Sequence, residues 1–133
     1  MNFLTKILNH RIGRFLQRQA FIISMLSITT IATLKSSNLP DLVLKSDKVN
    51  HVLAFGFLTL MVHISYPKLS TAKKLVYLLG YGIGLELIQF FLPWRSCSVA
   101  DLVADVIGII IATAGLEIIK LHHKHIAEKL KKH

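Results

Sequence analysis

Apolar residues in this chain come in blocks, not at regular intervals. Four blocks stand out: Ala20–Leu34, Lys48–Tyr66, Leu75–Leu92 and Val99–Lys120. Unbroken apolar stretches of this length are expected to cross a bilayer, and each reads as a helix because its backbone must satisfy its own hydrogen bonds in lipid. The third block would be about 27 Å long at 1.5 Å per residue. Turn signals separate the blocks. Leu39-Pro40-Asp41 sits inside the loop Lys35–Ser46, Tyr66-Pro67 ends the second block, and Pro93 ends the third. Asp47 is placed to cap the second helix. Ser98 and Asp101 have capping-box spacing at the start of the fourth.

The first eighteen residues follow another pattern. Phe3, Leu4, Ile7, Leu8, Ile12, Phe15 and Leu16 recur at helical spacing, with Lys6, Arg11, Arg14 and Arg18 largely on the other side. This describes a cationic amphipathic helix lying on the membrane surface, and it equally suits the start of a longer first membrane helix. A cleaved leader would need a small-residue site after Leu34, and no A-x-A-like sequence stands there. The expectation is an all-α integral membrane protein: an amphipathic helix over 1–18, a four-helix membrane bundle over 19–121 and a basic tail over 122–133.

Composition agrees with that reading. Of 133 residues, 53% are hydrophobic and 17% charged, and the mean hydropathy is +0.55. A soluble domain carries more charge. The net charge of +9 does not point to nucleic acid, because Lys and Arg flank the apolar blocks and do not alternate with aromatics on one face. Twelve of these cations fall in the N-terminal arm, the Lys68–Lys74 loop and the tail. Four fall in the other two loops, as Lys35, Lys45, Lys48 and Arg95. The asymmetry puts both termini in the cytoplasm and the first and third loops outside. The single Cys97 excludes an intrachain disulfide and any Cys-based zinc site.

Polar residues gather at the outer ends of three helices. Asp47, His51 and Phe55 share one face of the second, bordered by Lys48. Gly82, Glu86 and Gln89 share one side of the third, where Gly80 and Gly84 form a small-xxx-small step suited to close helix contact. Asp101, Asp105, Gly108 and Ala112 share a face of the fourth. Four carboxyls (Asp47, Glu86, Asp101, Asp105) meet two fixed cations (Lys48, Arg95) and His51. Carboxylates so placed in a low dielectric do not all ionise freely; one holds a proton or a cation.

Each of these residues also has a plainer role. Asp47, Ser98 and Asp101 fit as helix caps, Glu86 and Gln89 as interhelical hydrogen bonds, and Arg95 as a headgroup anchor beside Trp94. His51 fits as a satisfied core histidine, and His122, His123, His125 and His133 as part of a solvated basic tail.

The series Asp47-Lys48-x-x-His51-x-x-x-Phe55, Glu86-x-x-Gln89, Pro93-x-Arg95-x-x-Ser98-x-x-Asp101 and Gly108 resembles the VanZ-like membrane protein family. The resemblance covers about 47 to 115. It implies a compact helical protein of the bacterial plasma membrane whose motif residues line one extracytoplasmic site, and the founding member is associated with low-level teicoplanin resistance. Asp105 departs from the pattern, which usually has Asn there.

Two functional classes follow. In the first, an enzyme acts on an anionic lipid or cell-envelope amphiphile. Arg95 and Lys48 bind the headgroup with Asp47, Gln89 and Ser98 around it. His51 with Asp47 or Asp101 is the acid/base pair, Glu86 positions or activates a nucleophile, and a divalent cation held by Glu86, Asp101 and Asp105 is an optional addition. In the second, the protein binds such a ligand or assembles with a partner, and the polar residues form an interhelical network without catalysis. Proton-coupled transport is a weaker third, since no inverted repeat is visible.

Overall fold

The computed structural model describes the backbone of residues 3–35, 46–95 and 97–130, with side chains from residue 11 onward. The turn at Leu39-Pro40-Asp41 and the side chains of the first ten residues lie outside the described residues. Among the described residues four helices follow one another: α1 (Phe3–Thr33), α2 (Asp47–Ser65), α3 (Thr71–Phe90) and α4 (Val99–Leu130).

The N-terminal arm and the first apolar block form one continuous helix, since nothing between them breaks it. Four of its hydroxyls are satisfied within the helix. Ser24, Thr29, Thr30 and Thr33 donate to carbonyls four residues back, at 2.8–3.0 Å. This back-bonding lets a Ser- and Thr-rich segment stay helical among apolar surroundings. α1 from Arg11 to Thr33, α2 and α4 are each long and apolar enough to cross a membrane. α3 is 20 residues long but includes Lys73, Lys74 and Glu86.

Two boundaries and one helix contact differ from the sequence expectation. Asp47 is the first residue of α2 and does not cap it; Ser46 holds the cap position. The Asp47 carboxylate is thereby free to pair elsewhere, while its charge still favours the helix N-terminus. α3 starts four residues earlier than the apolar block, because the Ser70 hydroxyl accepts from the Lys73 N–H at 3.4 Å. Lys74, expected in a loop, is thus carried onto the buried face of α3. Finally, Gly80 and Gly84 have nothing within 4 Å of where a Cβ would stand, so the expected small-residue contact is not there. The close approach is made by Gly56 and Gly108. A Cβ on Gly108 would overlap the Val52 carbonyl and lie 3.0 Å from the Gly56 nitrogen. Here α2 and α4 meet backbone to backbone.

α2 is the organising helix. It packs against α1, α3 and α4, whereas α1 and α4 do not touch. Phe21, Phe55, Leu58, Val62, Leu78, Leu85 and Ile109 form the apolar core. Alongside them eight of the described polar residues are buried, including His51, Glu86, Gln89, Asp101 and Asp105. Large apolar side chains such as Leu26, Val76 and Phe91 point outward. An apolar exterior around a polar interior suits a lipid surround.

Candidate functional site

The polar site forms at one end of the bundle, around the loop that joins α3 to α4. Its construction begins with helix termini. The last carbonyls of a helix lack intrahelical partners. At the end of α1 three of them in a row are taken by side chains from α3 and its loop. Gln89 Nε2 donates to the Ala32 carbonyl at 3.0 Å, Trp94 Nε1 to Thr33 at 3.0 Å, and an Arg95 guanidinium nitrogen to Ile31 at 3.2 Å. A cation at this terminus also complements the helix dipole. The loop is held in turn by the Arg95 N–H donating to the Leu92 carbonyl across Pro93-Trp94.

The start of α4 is finished in an unusual way. Ser98 is its cap, and its hydroxyl accepts from the Ala100 N–H at 3.2 Å. In a capping box the third helical residue, here Asp101, would reach back to the cap's own N–H. That N–H donates instead to Glu86 Oε2, 3.0 Å away on α3. The side chain of Asp101 is released by this exchange and turns towards α2.

Three acid–base pairs then link the helices. His51 Nδ1 lies 2.7 Å from Asp105 Oδ1, with the two side chains 5% and 0% exposed. Arg95 reaches Asp47 Oδ2 at 3.4 Å. Lys48 stands 3.9 Å from Asp101, a loose contact on an exposed lysine. The expected partner of His51 was Asp47 or Asp101; the bond goes to Asp105. An ionised Asp105 can only accept, so the proton of this bond sits on Nδ1, and Nε2 is the ring nitrogen left to meet a ligand. The ring is further fixed by stacking on Phe55, 6.5 Å between centroids and 6° between planes. Gly82 makes room for this pair, since a Cβ there would lie 2.7 Å from Asp105 Oδ2 and 3.2 Å from the Phe55 ring.

A cleft of about 200 Å³ opens beside the pair. Its polar wall is Asp47, Asn50, His51 and Arg95. Its apolar wall is Ile28, Ile31 and Ala32 of α1, Ala54 and Phe55 of α2, and Leu85 of α3. Of the residues proposed from sequence, Asp47, His51 and Arg95 face this space. Glu86, Gln89, Ser98, Asp101, Asp105 and Lys48 stand behind or beside it. The α1 wall was not foreseen. Asn50, which shares the face of Asp47 at i, i+3, was the one legible addition.

Buried polar atoms normally find partners. Among the described residues seven buried side-chain atoms lack a hydrogen bond, and five belong to this cluster: Glu86 Oε1, Gln89 Oε1, Arg95 Nε, Asp101 Oδ1 and Asp105 Oδ2. The expected cation set of Glu86, Asp101 and Asp105 does not assemble. Asp47, His51 and Asp101 do converge, with potential ligand atoms all within 4.8 Å of one another. One imidazole and two carboxylates suit Zn²⁺ or Mn²⁺ better than an all-oxygen ion such as Ca²⁺. In the loop, the Cys97 thiol is pushed above its ordinary range, first by desolvation and then by the neighbouring Glu86 carboxylate.

Fold and site together define a helical protein with three helices long and apolar enough to cross a membrane and a polar cluster buried at one end. The sequence model of the VanZ/LLP1 family matches residues 3–120, and the chain belongs to that family. No curated protein and no solved structure matches it.

Proposed function

We propose that the chain crosses the plasma membrane four times with both termini in the cytoplasm, and that its outer-end cleft binds the anionic headgroup of a cell-envelope amphiphile. The observation that carries this reading is the two-sided lining of the cleft. Asp47, Asn50, His51 and Arg95 offer a headgroup donors, acceptors and charge. Ile28, Ile31, Ala54 and Leu85 offer the adjoining carbons an apolar wall. Positive-inside asymmetry supports the orientation, and family membership supports a role at the envelope of the kind implied by glycopeptide resistance.

Charge balance shapes the binding. Four carboxyls surround a place meant for an anion, and Arg95 already shares its charge with Asp47. A divalent cation held by Asp47, His51 and Asp101 would cancel the two-charge excess of carboxylates over Lys48 and Arg95 and would supply a positive centre for a phosphate. Where no cation is held, His51, oriented by Asp105, is the group able to move a proton to or from a bound ligand through Nε2.

A second reading is also supported by a specific observation. Gln89, Trp94 and Arg95 close α1, and Glu86 closes α4. These residues therefore have structural work whether or not a ligand binds. The two readings part on variants that fill the cleft without touching the polar network. Ala54→Trp and, from the opposite wall, Ile31→Trp should abolish co-purification of an anionic amphiphile detected by mass spectrometry. Unchanged lipid retention in both folded variants would leave only the structural network.

A further inference from the structure

The other end of the bundle holds a larger cavity that the polar site does not use. Its volume is about 510 Å³, and Arg11, Arg14 and Arg18 of α1 line it together with Tyr66 and Lys68 from the turn after α2. Four cations thus converge from segments about fifty residues apart. No carboxylate among the described residues pairs with any of them. Asp47, Glu86, Asp101 and Asp105 all sit at the opposite end, and Glu117 pairs with Lys120. Like charges gathered in this way repel unless an anion joins them.

The cleft is also fixed in shape. The Arg18 guanidinium lies 5.2 Å above the Tyr66 ring, a cation–π contact. The hydroxyl of fully buried Ser65 donates to the Gln17 carbonyl at 2.9 Å and ties the end of α2 to α1. Phe15, 60% exposed, lines the same cavity at the start of the apolar span and gives it a greasy edge. A soluble anion would have no use for that edge, whereas a lipid would lay its acyl chains along it.

We infer that this basic cleft is a second binding site, which takes the phosphate headgroup of an anionic phospholipid from the leaflet opposite the polar site. Arg14 and Arg11 present planar forks that match a phosphate, and Lys68 adds a mobile point charge. The inference stands on the α1–α2 end alone and is independent of what the polar cleft binds.

Native mass spectrometry of the full chain in detergent tests it, with phosphatidylglycerol and phosphatidylcholine as probes. Phosphatidylglycerol should be retained under conditions that strip phosphatidylcholine, and in the Ala54→Trp variant, whose polar cleft is filled, one phosphatidylglycerol per chain should remain. Each basic residue near a membrane surface contributes about 1 kcal/mol, so Lys68→Gln or Arg14→Gln alone should weaken retention about fivefold, and the pair roughly 25-fold. Lys68 is exposed in a turn, so its variant remains readable if Arg14→Gln fails to fold. Lys73, exposed at the same end but outside the cleft, should be replaceable by Gln without effect. Equal retention of both lipids would overturn the site. So would a loss in Lys73→Gln matching that in Lys68→Gln, which would mean surface charge only. Displacement by inorganic phosphate at equal concentration would replace the lipid with a soluble anion and overturn that assignment.

Discussion

Removing the Asp105 carboxylate leaves His51 Nδ1 buried without its partner, and the structure sets the size of the effect. At the observed 2.7 Å and an effective dielectric of about 20, a charged pair would attract by about 6 kcal/mol. Both side chains are almost fully buried, and desolvating each ion offsets several kcal/mol of that gain. A hydrogen bond to a charged group typically nets about 1.5–3 kcal/mol, so a coupling of about 2 kcal/mol is expected. Asp105→Ala should cost more than the coupling, about 3–5 kcal/mol, because it strands a buried polar group. Asp105→Asn keeps the acceptor and the shape and should cost about 1 kcal/mol or less. The assay is reversible unfolding in bicelles, run as a double-mutant cycle of Asp105→Ala, His51→Ala and the double variant. The cycle cancels the loss of the His51–Phe55 stack, which both His51 variants share. A coupling below about 0.5 kcal/mol, the ordinary scatter of additive sites, would refute the bond as a determinant of the site.

Other expectations follow from the same contacts. Gly108→Ala sets a methyl against the backbone of Val52 and Gly56, which no rotamer relieves, and should lower stability by about 1–3 kcal/mol; Gly84→Ala meets nothing and should be neutral or gain up to about 1 kcal/mol. Thermal unfolding of the two variants compares them directly, and equal losses would rule out the Gly56–Gly108 crossing. Glu86→Ala removes the acceptor for the Ser98 N–H and should cost about 0.5–2 kcal/mol, as losing a helix cap does, while Glu86→Gln keeps an oxygen there and should be milder in a chemical melt. Cys97 reacts as its thiolate, and a raised pKa leaves less thiolate at neutral pH, so maleimide labelling should climb only at alkaline pH. Glu86→Gln removes part of that shift and should move the pH–rate profile downward; an unmoved profile would show that Glu86 does not act on the thiol.

The four helices were legible because apolar blocks and proline punctuation survive any tertiary arrangement. Helix starts were less so: a serine just upstream extended α3 to Thr71, and Ser46 displaced Asp47 from the cap position. Which glycines make contact could not be told, since both sides of α3 are apolar enough to be either face. The His51–Asp105 pairing was hidden for a related reason. It depends on how α4 is rotated and set against α2, and the Gly56–Gly108 approach fixes that. Helical spacing did place His51, Glu86, Asp101 and Asp105 at one end. It could not reveal α1 as a wall, because α1 joins the site through backbone carbonyls that every sequence carries.

The most direct test of a ligand cleft at the polar end is photo-crosslinking in intact membranes with two lipid probes. One carries an anionic phosphate headgroup and the other phosphocholine, each with the reactive group near the headgroup. Peptide mapping should place the anionic label on residues 28–32 and 50–55, ahead of the phosphocholine probe, with the label lost in Ala54→Trp. Labelling that is the same for both probes and confined to outward-facing residues such as Val76 and Phe90 would contradict the cleft as a ligand site.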